Sequence, residues 1–238
     1  MKLFINIILL LIVAMCIWRG CKKGFVSGIV GILAIIIALY GGSFLSEKYA
    51  GQVVPVMEPF VNGFIDSQKT RSAALEKMGY GNSDLSLEDV LAQDSSLRYD
   101  YAYECSKSIG FNDKLSERIA DKSVKYAEQT GENMTEAVIN VMCDTISYVG
   151  GLVLAFLLIL ILLVAITNIG NLSFKFPKMP MLDYIGGSVL GFVKGFLYCS
   201  LLCWLLGFMG IIIGADTLES VGLAKFFMAF DFLTKGLI

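Results

Sequence analysis

The chain contains no histidine. That removes the side chain most often used as a proton shuttle near neutral pH and the commonest metal ligand. Charge is scarce as well: 17% of the 238 residues are Asp, Glu, Lys or Arg, against about 25% in soluble domains. The long apolar runs hold no paired carboxylates, and no nucleophile motif occurs anywhere. These absences leave little to perform covalent or acid–base chemistry, so a non-enzymatic protein without cofactor or metal is expected. Nothing resembles the basic, aromatic-interleaved footprint of a nucleic-acid binder, and no nucleic-acid partner is expected.

Apolar residues fill the space, at 56% of the chain, with a mean hydropathy of +0.70. They gather in blocks near the ~20 residues that cross a ~30 Å hydrocarbon core. Four spans are expected, at about 3–18, 24–45, 148–169 and 195–214. The chain therefore reads as an all-α integral membrane protein with two hairpins, 1–46 and 148–214. Between them lies a polar insertion, 47–147, and after them a tail, 215–238.

Charge distribution sets the expected orientation. The short connections are basic, with Arg19, Lys22 and Lys23 in the first and Lys175 and Lys178 in the second. Short basic loops stay in the cytoplasm, whereas long segments cross regardless of charge. The N-terminus, 47–147 and the C-terminus are thus expected outside the plasma membrane of a bacterial cell. Met1-Lys2 and the apolar run ending at Met15-Cys16 resemble a secretory or lipoprotein signal. Bulky Met15 and the three cations just beyond favour an uncleaved span.

Segment 47–147 carries ten basic and seventeen acidic side chains and is rich in helix formers. Asn112 suits a helix N-cap, with Leu115, Ile119, Lys122 and Tyr126 as a stripe and Gly131 as the stop. Val138, Met142, Thr145 and Val149 form a second stripe running into the third span. Ser86-Leu-Glu-Asp89 matches a capping box. A small helical domain is expected, a largely disordered loop being the alternative. The tail spaces Leu218, Val221, Phe226, Phe227, Phe230 and Leu233 as an interfacial amphipathic helix would.

Of six cysteines, Cys199 and Cys203 share a helix face in the fourth span. Two thiols alone make a poor zinc site, so they read as small buried hydrophobes. Cys105 and Cys143 could pair outside the cell, which spacing does not decide.

One motif occurs twice, as Gly20-x-x-Lys23-Gly24-Phe25 and Gly191-x-x-Lys194-Gly195-Phe196. Aligning the copies places Lys194, like Lys23, at the cytoplasmic boundary of the span that follows. That position is far cheaper for a charge than mid-membrane. The two hairpins would then share one orientation, as in a parallel repeat. Gly24 and Gly28, and then Gly187, Gly191 and Gly195, recur every four residues and form small-residue faces suited to close helix packing. They would hold span two against span four, or one copy against another.

Arg19-Gly20-x-x-Lys23-Gly24-Phe25 and Asp183-x-x-x-Gly187-x-x-x-Gly191-x-x-Lys194-Gly195 together resemble the colicin V production (CvpA) family of bacterial inner-membrane proteins. The resemblance covers residues 1–46 and 148–238. It departs where that family usually has arginine in place of Lys194, and an Arg-Glu pair where Ser27-Gly28 stands. The likeness implies a scaffold or accessory factor for peptide-toxin (bacteriocin) production or export and for envelope homeostasis, with secretion-related or membrane protein partners. Arg19, Lys23, Asp183 and Lys194 are expected to form a polar cluster for lipid headgroups or a partner. The alternative function is an oligomeric small-solute transporter or channel, against which stands the near absence of ionisable groups inside the spans.

Overall fold

The computed structural model describes residues 2–65, 68–80, 87–169, 180–208 and 222–229, and every regular element among them is helical. In chain order these are α1 (Lys2–Lys23), α2 (Phe25–Ile65), α3 (Gln68–Lys77), α4 (Leu87–Gln93), α5 (Leu97–Ile109), α6 (Asp113–Thr130), α7 (Met134–Ile169), α8 (Pro180–Phe208) and α9 (Gly222–Ala229). Four of them, α1, α2, α7 and α8, are long and apolar enough to cross a membrane. The chain is an all-α multi-pass membrane protein.

Two compact units result. One comprises Met1–Lys48, Gly150–Leu206 and Asp216–Ile238, the other Tyr49–Val149 and Gly207–Ala215. Helices run through the limits of the polar insertion. The 41 residues of α2 make about 60 Å at 1.5 Å each, twice the hydrocarbon thickness. Hydropathy falls at Glu47 and Lys48, but nothing there terminates the backbone ladder, so the helix continues to Ile65 with Pro55 and Pro59 inside it.

In the first unit, the apolar surface of the spans faces outward, as a lipid-embedded helix requires: Leu3, Phe4, Leu154 and Ile161 are all exposed. Its buried centre includes Leu9, Ile35, Ala38, Leu39, Cys199 and Cys203. Both cysteines are free thiols. Helix α9 seats Phe227 against Phe196 at 5.2 Å between ring centroids, with Phe226 edge-on to Phe196 at 6.1 Å. The other large residues of the expected tail helix, Leu218, Val221, Phe230 and Leu233, lie outside the described residues.

The second unit has a core of its own, which includes Val90, Tyr101, Ile119, Val138 and Met142. Helix α6 starts where Asn112 Oδ1 accepts the Leu115 N–H at 2.9 Å and stops at Gly131, whose φ of 73° is costly for other residues. Its inward face is Leu115, Ser116, Ile119, Ala120, Ser123 and Ala127, whereas Lys122 is exposed. The α7 stripe Val138, Met142, Thr145 and Val149 is buried throughout. Tyr101 and Thr135 join α5 to α7 through a buried hydroxyl pair at 3.3 Å. Cys105 and Cys143 are buried free thiols. The Ser86 of the expected capping box lies outside the described residues.

Candidate functional site

Helix α1 ends in a basic turn, Lys22 and Lys23, which suits the negative end of the helix dipole. Gly24 then adopts φ 84°, a left-handed conformation that costs any residue with a Cβ, and the chain re-enters a helix at Phe25. The new helix needs partners for its first N–H groups. Asp183, in the first turn of α8, supplies one: its Oδ1 accepts the Phe25 N–H at 3.3 Å. The carboxylate is 7% exposed and lies so near Gly24 that an added Cβ there would sit 3.3 Å from Oδ1. Asp183 is thus a cap delivered across 158 residues of sequence.

From that anchor α1 and α8 pack along a seam of glycine. A Cβ on Gly20 would lie 2.2 Å from the Gly187 carbonyl oxygen and 3.0 Å from Gly191 Cα. One on Gly187 would meet the Gly20 carbonyl oxygen at 2.4 Å, and one on Gly191 the Cys16 carbonyl oxygen at 2.5 Å. Gly195 continues the seam against Val13 and Cys16. Cys21 and Ser188 bridge its edge at 2.9 Å, and Cys199 reaches the Leu9 carbonyl at 3.5 Å. Backbone touches backbone only because no side chain intervenes. Spans one and four therefore share this face, where the glycine spacing suggests spans two and four or one copy against another. Gly28 does face α8, but through the Leu190 side chain.

The two copies of the motif differ in backbone and meet in space. Gly24 breaks a helix, whereas Gly195 lies inside one, with Lys194 at the midpoint of the unbroken α8. Their first glycines, Gly20 and Gly191, pack against each other. The repeat marks the two sides of one helix crossing.

Beside the crossing is a cavity of about 230 Å³. Arg19 and Lys23 line it from α1, Ser27, Gly28 and Gly31 from α2, Val164 and Thr167 from α7, and Lys194 and Tyr198 from α8. Arg19 and Lys23 are exposed and Lys194 is half-buried. The Lys194 ammonium lies 5.7 Å from the Tyr198 ring centroid, a cation–π distance, and 2.8 Å from where a Gly31 Cβ would stand. Among the described residues no carboxylate lines the cavity, and Arg19, Lys23 and Lys194 form no salt bridge. Three of the four charged residues expected to cluster line this cavity, and Asp183 caps α2 beside Gly24, the neighbour of Lys23. Sequence reading passed over Gly31, although it lies one helical turn beyond Gly28. It also passed over Tyr198, which shares the Lys194 face at i+4.

No group of three or more potential metal ligands occurs among the described residues. Comparison of the chain with protein-family models, with curated proteins and with solved structures returns no match.

Proposed function

We propose that this protein is a non-enzymatic scaffold or accessory factor of the bacterial inner membrane, similar to the colicin V production family and serving peptide-toxin export and envelope homeostasis. One observation carries the reading. The residues behind the resemblance, Gly20, Gly24, Gly187, Gly191, Gly195 and Asp183, converge on one helix crossing and its cap. A rigid crossing beside an exposed cationic rim suits a part that holds others in place, with secretion-related partners, membrane lipids or a second copy bound there. Its two hairpins share one orientation, with the N-terminus, 47–147 and the tail extracytoplasmic and the Arg19–Lys23 end cytoplasmic.

The test is a toxin-producing strain from which the gene is removed. Secreted toxin falls and sensitivity to detergent rises, and the wild-type gene restores both. Unchanged export and unchanged envelope resistance overturn the proposal. The cation-lined cavity favours one second reading, an oligomeric anion transporter or channel. Anion flux in liposomes that vanishes with Lys194→Met would replace the scaffold with that reading.

A further inference from the structure

We propose that Arg19, Lys23 and Lys194 bind a phosphate group in the cavity beside the α1–α8 crossing. This deepens the scaffold reading by naming the ligand of its cationic cluster. Three features point to it. The lining carries three cations and, among the described residues, no carboxylate to balance them. Like charges gathered around one partly enclosed cavity repel one another, and a bound anion offsets that cost. A phosphate also matches the donors better than a carboxylate does. The Arg19 fork and two ammonium groups need more acceptor oxygens than a carboxylate's two; free phosphate offers four, and a phosphodiester headgroup adds two ester oxygens to its two charged ones.

Arg19 and Lys23 are one turn apart on α1, so both head groups reach the same side. Glycine shapes the wall: Gly20, Gly28, Gly31 and Gly191 all line the cavity, and Gly31 leaves the space in which the Lys194 ammonium lies. The volume of about 230 Å³ is below the roughly 300–1,000 Å³ of pockets that enclose drug-sized molecules. A phosphate fits, whether on a phospholipid headgroup or free in solution.

The experiment uses the full chain purified in detergent. Native mass spectrometry measures retained phosphatidylglycerol, and thermal unfolding is followed with inorganic phosphate against chloride at equal ionic strength. The wild type is expected to bind at least one probe saturably. Lys194→Met should weaken that binding roughly ten- to hundredfold, as loss of a charge-assisted bond does, and Lys194→Arg should retain most of it. Retained lipid without a response to inorganic phosphate assigns the headgroup, and the converse assigns a free anion. Should Lys194→Met fail to fold, the pair Arg19→Gln and Lys23→Gln, at exposed positions, carries the same test. No saturable binding by the wild type, or equal binding by the charge-removing variants, overturns the proposal. Failure here leaves toxin export untouched, and a null export phenotype leaves anion binding untouched, so the two readings fall separately.

Discussion

Replacing Gly20 by alanine adds one carbon at the narrowest point of the helix crossing. That carbon would stand 2.2 Å from the Gly187 oxygen, and ordinary contact begins at 3.4 Å, a shortfall of 3.4 − 2.2 = 1.2 Å. The obstructing atoms are backbone on both sides, so relief comes only from moving α1 against α8. A gap of 0.5–1 Å forfeits about a quarter to a half of each dispersion contact along the seam. Overpacking costs about 1–3 kcal/mol, and a backbone collision belongs in the upper part of that range. Alanine returns about 1 kcal/mol through its better helix propensity, leaving a net loss of about 1–2 kcal/mol. Gly51→Ala is the control, because it lies within α2 with nothing within 4 Å of its added carbon. It should gain up to about 1 kcal/mol. Thermal unfolding in detergent, followed by circular dichroism, should show Gly20→Ala lower by roughly 2–8 °C and Gly51→Ala level or higher. If Gly20→Ala unfolds at or above the wild-type temperature, α1 and α8 do not meet backbone to backbone at Gly20.

Other consequences are as direct. Asp183→Ala leaves the Phe25 N–H without its acceptor and should cost about 1 kcal/mol in thermal unfolding, whereas Asp183→Asn keeps an acceptor and most of the stability. Equal loss in both would mean that the cap is not what Asp183 contributes. Asn112→Ala removes the N-cap of α6 and should cost about 1 kcal/mol, read as faster amide exchange in its first turn. Unchanged exchange there would contradict it. The hydrogen bond from Lys107, at 2.6 Å, holds the Asp113 carboxyl below the usual carboxylate range. A depressed value contributes stability above the ordinary pKa of about 3.9 and loses it as pH falls through the folded value. The stability difference between wild type and Asp113→Asn should therefore shrink from pH 5 toward pH 3, and a constant difference would refute the coupling.

Sequence revealed most where local rules act alone. The Asn112 cap, the Gly131 stop and the Val138–Met142–Thr145–Val149 stripe all depend on neighbours a few residues away, and each stands where spacing placed it. The α6 stripe was only half legible. Leu115 and Ile119 are buried, but the face continues through small Ser123 and Ala127, which carry no hydropathy signal, and Lys122 points outward. Hydropathy located apolar blocks but not helix ends, since α2 runs to Ile65 and α1 to Lys23 on hydrogen bonding that hydropathy does not report. The site was legible in its parts and not in its assembly. Glycine spacing announced a packing face without naming α1 as its partner. Asp183 was conspicuous, but its role depends on a contact with Phe25 that no local pattern encodes. The helix break that Gly24 makes after Lys23 has no counterpart after Lys194, which lies inside α8 with Gly31 and Tyr198 around its head.

Sidedness tests the proposed arrangement most directly, because the cationic rim can meet the cytoplasmic leaflet only if Lys22 and Lys23 face inward. Native Cys105 is fully buried and cannot report. Single cysteines are therefore introduced at Glu117, exposed on α6, and at Lys22, exposed at the end of α1, in a chain whose six native cysteines are replaced. Spheroplasts are treated with a membrane-impermeant thiol reagent before and after permeabilisation. The expected result is immediate labelling of Glu117→Cys and labelling of Lys22→Cys only after permeabilisation. The reverse pattern would place the cations and the cavity outside the cell and contradict the orientation on which the proposed function stands.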